Sequence, residues 1–240
     1  PNTWTYNNQI NAFTHKKHIY DDYAYYFVNV QIGQGKRIET DTNSYGTSNV
    51  FVNKFTDFAF HENDSLNLIK TGREWYGEQF DVITSYKFNF SFPNLVTESP
   101  ILVRTDAIAR STYNSNMLLR VNGNEKILQF SAVNPHYLAT YANEVLDTFY
   151  LKSSTYNISA QLVYTKPNSS AQAWLNFLEI NAQRHLTMYG QQMTFRTPET
   201  VGAGNIAEYT LENANQNYEV WNISNPQEAL KMVTTINNTT

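Results

Sequence analysis

The stretch from Ser85 to Pro93 constrains the fold of this chain more than any other. Tyr86, Phe88, Phe90 and Phe92 alternate there with Ser85, Lys87, Asn89 and Ser91 without interruption. A period of two puts all the rings on one face, which is the pattern of a half-buried β-strand. Such a row of aromatics makes it a core strand. Pro93 ends it, because proline has no N–H to give to a ladder.

Just upstream, Arg73, Glu74, Trp75 and Tyr76 stand between Gly72 and Gly77. Adjacent charges beside two large rings have a plain explanation, an arginine stacked on an aromatic in a loop that plugs one end of a sandwich. They also have a functional one, a loop that faces a ligand or partner. Residue chemistry favours the first. Arg73, Glu74, Trp75 and Tyr76 remain the partner- or ligand-facing candidates of the chain.

The rest of the sequence agrees with an all-β fold. Aromatic residues make up 15% of 240 positions, which suits strands better than helix bundles. Residues 23–32 predict a strand, and Gly33-Gln34-Gly35 a tight connection to 36–40. Further strands are expected at 51–60, 66–70, 101–105, 108–111, 117–121, 126–130, 141–150, 156–164, 173–186 and 189–195. Asn122-Gly123 between two apolar runs is the strongest hairpin signal. Turn residues recur between strands, as in a sandwich or jelly roll and unlike βαβ units.

Several function classes are disfavoured. A net charge of −4 and the absence of a basic stripe argue against nucleic acid. The cluster His15-Lys16-Lys17-His18 reads as a solvated loop, and the histidines as surface groups. With no cysteine there is no thiol nucleophile, disulfide or thiolate metal site. No apolar run has transmembrane length, and no signal peptide is present. The chain opens on Pro1, as expected of a processed or excised piece of a longer protein.

Asp41, Asn43 and Gly46 imitate the start of a calcium loop, but the closing position is Val52, so an ordinary turn is expected. The acid pairs Asp21/Asp22 and Glu74/Glu78 read as solvated or salt-bridged groups, and Arg104 and Arg184 as partners of acids on neighbouring strands. No catalytic residue, cofactor or metal site is expected.

Three ordered pieces carry a resemblance. The first is 72–80 with the aromatic strand ending in Phe92-Pro93. The second is the strand from Trp174, with Arg184, Leu186 and the run Gln192 to Phe195. The third is Val220-Trp221 with Ile223 and Asn225-Pro226. They resemble the non-catalytic N-terminal region of the PorU family, the gingipain-related sortases of the bacterial type IX secretion system. Residues 1–64 add little to the match.

The resemblance implies a secreted, cell-surface parent that removes the sorting domain of cargo proteins and transfers them to an anionic lipopolysaccharide. That chemistry needs a thiolate and a histidine base. This chain has no cysteine and stops soon after Asn225-Pro226, before the α/β catalytic domain of the family begins. The resemblance therefore implies an accessory module whose partners are its own catalytic domain, cargo or secretion-system proteins. It places the protein, after export, at the outer-membrane surface or outside the cell.

The alternative is a carbohydrate-binding module, in which exposed Trp75, Tyr76 and Trp174 would stack on sugars. The expected architecture is a jelly-roll-like antiparallel β-sandwich over 1–198. A short C-terminal β segment over 199–240 would begin the next domain and leave an unpaired strand edge.

Overall fold

The computed structural model describes residues 3–18, 20–21, 23–70 and 73–237. Asp22 and Gly72, singled out above, lie outside the described residues. The strands are β1 (Thr3–Asn7), β2 (Ala12–Lys16), β3 (Glu39–Thr40), β4 (Val50–Val52), β5 (Lys54–Glu62), β6 (Gln79–Phe80), β7 (Ser85–Ser91) and β8 (Ile101–Arg110). They continue with β9 (Ser115–Val121), β10 (Asn124–Phe130), β11 (Asn143–Leu151), β12 (Asn157–Thr165) and β13 (Gln172–His185). Short strands β14 (Ala207–Tyr209), β15 (Trp221–Asn222) and β16 (Leu230–Lys231) follow. No helix among the described residues is long and apolar enough to cross a membrane.

The chain forms two compact units, Pro1–Tyr23 with Phe55–His185, and Ala24–Lys54 with Leu186–Thr240. The first is a β-sandwich. One sheet has the order β10-β9-β12-β7 and the other β11-β8-β13-β5, with β6 added beside β13. From β7 to β13 the chain passes between the two sheets at almost every connection, in the manner of a jelly roll.

The period-two strand behaves as its pattern requires. On β7 Phe88 and Phe90 are buried, Phe92 just beyond it is fully buried, and Lys87, Asn89 and Ser91 are exposed. Its rings meet Met117, Leu119, Ile158, Leu162, Leu175, Leu178 and Ile180 in one continuous core. Each large side chain so buried contributes about 1.5–3 kcal/mol.

The Asn-Gly signal is a tight turn between β9 and β10, with Asn122 at φ 44° and Gly123 at φ 86°. Both values are positive, as a two-residue hairpin of this hand demands. Asn122 also ties the turn to β12: its amide nitrogen donates to Ser153 Oγ and Asn157 O, and its Oδ1 accepts from the Ser159 N–H. A Cβ added at Gly123 would meet nothing within 4 Å, so only the backbone opposes a side chain there. Gly123→Ala is expected to cost about 1–2 kcal/mol in urea unfolding. An unchanged midpoint would show that the turn relaxes freely.

Two expected strands are absent. Residues 23–32 are irregular and exposed, with Phe27 98% accessible, and they join no ladder among the described residues. Gln31 and Gly33 carry positive φ values that break the run. Residues 189–195 likewise form no strand, and Gly190 has φ 73°. Alternation makes a strand only where a neighbouring edge supplies hydrogen-bond partners. By contrast 101–105 and 108–111 fuse into the single strand β8, and 66–70 reduces to one bridge between Leu66 and Tyr76.

β13 has an irregularity between Leu175 and Phe177, where Asn176 interrupts the register with β8. The bulge switches the parity of the strand. Before it Leu175 faces the core and Trp174 faces away; after it Leu178 and Ile180 face the core while Phe177, Glu179 and Asn181 face away.

This outer face of the sheet is covered, not solvated. The β1-β2 hairpin lies on it, with Trp4 and Phe13 against Phe58 at ring separations of 3.9 and 4.8 Å.

The second unit contains a short β framework. β14 pairs in parallel with β4, β16 pairs in parallel with β3, and β15 pairs antiparallel with β16. The C-terminal β segment is thus present, and its strands pair with segments from 39–52.

Candidate functional site

The candidate loop divides into an outward and an inward half. Arg73 and Glu74 are exposed, Trp75 is half-buried and Tyr76 is buried. Tyr76 exchanges two backbone hydrogen bonds of 2.9 Å with Leu66, and its hydroxyl donates to Glu74 Oε2. Gly77 must be glycine, because a Cβ there would lie 2.6 Å from the Asn63 carbonyl oxygen. Its N–H donates to Leu175 O, which docks the loop on β13. Arginines lie over rings elsewhere in the unit: Arg110 is 4.2 Å from the centre of Tyr141, Arg184 5.2 Å from Phe55 and Arg104 5.5 Å from Phe177.

Trp174 is only 2% exposed and packs with Tyr76 and Ile108. The stacking platform required of Trp75, Tyr76 and Trp174 is therefore not formed, since two of its three rings point into the protein. Aromatic side chains in an all-β chain are drawn first to the interior, where they bury the most area.

Near this loop Asp106 sits on the outer face of β8, 5% exposed. Its Oδ2 accepts from the Asn176 amide at 2.8 Å, so the bulged residue serves it, while Oδ1 is buried without a partner. Burial pushes this carboxyl up to about 7; the Asn176 bond opposes the rise, Glu144 and Glu74 add to it, and Arg104 pulls it back. Burial also raises the Tyr76 phenol, helped by the charge of Glu74.

A folded-state value above the unfolded one gives stability that is complete below the unfolded value near 4 and lost as pH rises through about 7. Asp106→Asn removes that loss. The variant is expected to melt near the parent at pH 4 and several degrees above it at pH 8. Equal pH profiles would show that Asp106 stays solvated.

The most connected polar cluster lies under the hairpin. His15 on β2 places Nδ1 2.6 Å from Glu179 Oε2 and Nε2 2.5 Å from Glu62 Oε2. Its own backbone N–H donates to the same Glu179 oxygen at 3.1 Å. Arg104, directly opposite Glu179 in the β8-β13 ladder, pairs with the other oxygen of Glu179. The side chains of His15 and Glu179 are 1% and 0% exposed. The imidazole stacks on Phe60 at 4.0 Å and meets Phe177 edge-on at 5.1 Å.

His15 was expected on the surface. The sequence does hold a weak signal for its burial: in a strand it shares a face with Phe13, which is 6% exposed.

The expected pairings of the two arginines are present. Arg104 meets Glu179, and Arg184 meets Asp57 at 2.7 Å while donating to Pro93 O. The acids at 74 and 78 turn to different partners, Glu74 to Tyr76 and Glu78 to His61 at 2.7 Å. Asp41 caps an ordinary turn, accepting from the Asn43 N–H and the Tyr45 hydroxyl. Among the described residues no group of three histidine, cysteine or acidic side chains is placed to hold a metal ion.

The first unit is thus a β-sandwich with one face covered by its own hairpin and with several of its charged side chains paired in the interior. No protein-family model matches the chain, and no curated protein matches it. Its fold is similar to that in the crystal structure of dimeric latent PorU from Porphyromonas gingivalis, with a TM-score of 0.81 and 17% identity. The match covers 99% of this chain and 23% of that one, so the chain spans less than a quarter of that protein's length. The chain has a PorU-like fold.

Much weaker likenesses extend to a carbohydrate-binding module in complex with calcium and xylotriose. There the TM-score is 0.35 and the identity 12%, over 52% of this chain and 98% of that one. A family 35 carbohydrate-binding module from Clostridium thermocellum gives 0.32 and 15%, over 52% and 90%.

Proposed function

We propose that this chain is the non-catalytic accessory module of a secreted, gingipain-like cysteine peptidase or sortase, which processes type IX cargo proteins and attaches them at the bacterial cell surface. The observation that carries this reading is the fold similarity to PorU over 99% of the chain. The three ordered sequence pieces between positions 72 and 226 support it independently. The chain itself supplies no thiol. Its most activated-looking histidine, His15, is sealed from solvent between two carboxylates, so it cannot reach a substrate. The module's role is then to pack on the catalytic domain or to receive cargo or secretion partners, and Arg73 and Glu74 are the exposed part of its most distinctive loop.

The test is the source reading frame together with a binding measurement. The frame is expected to continue beyond Thr240 into an α/β domain carrying one cysteine and an upstream histidine. That domain, produced separately, is expected to co-elute with this chain in gel filtration. A frame that ends without such a domain overturns the proposal; a catalytic domain that never co-elutes removes the packing role and assigns the module to cargo or secretion partners.

A further inference from the structure

We propose that the β1-β2 hairpin is a proton-held cover, kept on the outer face of the sandwich by the charged imidazole of His15 between Glu62 and Glu179 and released when that proton is lost. The hairpin is a separate two-stranded sheet and adds no strand to the sheet beneath it. Side chains attach it. The Asn181 amide imitates a ladder rung, accepting from the Phe13 N–H at 2.7 Å and donating to the Phe13 carbonyl at 2.9 Å. Tyr150 donates to Ile10 O, and Lys17 pairs with Asp64 at 3.2 Å. His15 is a further polar attachment, and the most deeply buried of them.

The charges around His15 come from every element packed on it. Glu179 belongs to β13, Glu62 to β5 and Arg104 to β8, while Lys17, just past the end of β2, reaches the Glu62 carbonyl and Asp64. With the imidazole charged, the two carboxylates face two cations, and both ring nitrogens donate. With it neutral, one ring nitrogen turns a lone pair toward a carboxylate about 2.5 Å away, and a net negative charge stays in a largely buried space. Burial pulls the imidazole down, but the hydrogen bonds and charges of Glu179 and Glu62 outweigh it and hold its pKa above the usual histidine value. The attachment is therefore complete below the unfolded value near 6.5 and lost as pH rises through the higher folded one. Release would bare the strip of Phe58, Phe60 and Phe177 now under the hairpin.

Hydrogen exchange on the intact chain between pH 6 and 9, corrected for intrinsic rates, tests this. Protection of residues 3–16 is expected to fall by up to about tenfold per pH unit between the unfolded value near 6.5 and the folded midpoint and to level off above it, while β9 and β12 stay protected. His15→Gln is expected to show weak hairpin protection with no pH slope, and Glu62→Gln to move the midpoint to lower pH. Hairpin protection that follows the core at every pH overturns the proposal, as does a slope that survives in His15→Gln. Should the variants fail to fold, an NMR titration of the His15 ring in the unaltered chain decides. A midpoint above that of free histidine upholds the cover, and one at or below it removes it.

Discussion

Glu179→Ala is expected to destabilise the sandwich by about 3–5 kcal/mol, because it takes from Arg104 its buried carboxylate and leaves the His15 imidazole with Glu62 alone. Glu179 is fully buried and holds both Arg104 and His15, so its loss leaves the guanidinium and the imidazolium facing only Glu62 and the aromatic rings. Urea unfolding, followed by the signal of the sandwich, reads the effect. The decisive comparison is with a variant in which His15, Arg104 and Glu179 are all replaced by apolar residues of similar volume. Breaking an ion cluster is costly while exchanging the whole of it for packed apolar groups is often neutral. The triple variant is therefore expected to lose much less than Glu179→Ala. A triple variant as damaged as the single one would mean that the cluster's shape, and not its charge balance, matters there.

Trp174→Ala is expected to cost about 3–5 kcal/mol, the usual range for deleting a large buried aromatic. Trp174 is 2% exposed and joins Tyr76 of the distinctive loop to Ile108 of β8. Its removal should also loosen residues 73–77, visible as faster hydrogen exchange at the Tyr76 and Gly77 amides that bond to Leu66 and Leu175. Trp75→Ala, at a half-buried position, should cost clearly less in the same assay. Equal costs would mean that the exposed-looking half of the loop carries as much packing as the buried half.

How far the fold could be read from the sequence follows from the range of the forces involved. The alternation of β7 and the Asn122-Gly123 turn are settled by residues within a few positions of each other, and both came out as written. Residues 23–32 show the same local signature and form no strand, because pairing depends on an edge that local sequence cannot supply. The pairing of Arg104 and Arg184 with acids on other strands was anticipated from their chemistry. That the acids are Glu179 and Asp57 is a matter of register.

His15 is the clearest loss. Its partner Glu179 stands 164 positions away, and a His-Lys-Lys-His run looks solvated until that distant carboxylate is known. The loop at 73–76 was visible as an unusual word. Which half faces inward was set by Leu66, Asn63 and Leu175, none of them neighbours in sequence.

The bulge at Asn176 has a bearing on how relatives of this chain are compared. β13 is two half-strands spliced out of frame, with even positions outward before the splice and odd positions outward after it. A relative with a straight strand here matches only if a one-residue gap is opened at 176. Without the gap, either Trp174 or the pair Glu179 and Asn181 is set against residues that belong in the core. Where identity is as low as 17%, one misplaced gap in the longest strand erases the few true matches available. Alignments of this module are best anchored separately on Trp174 and on Glu179.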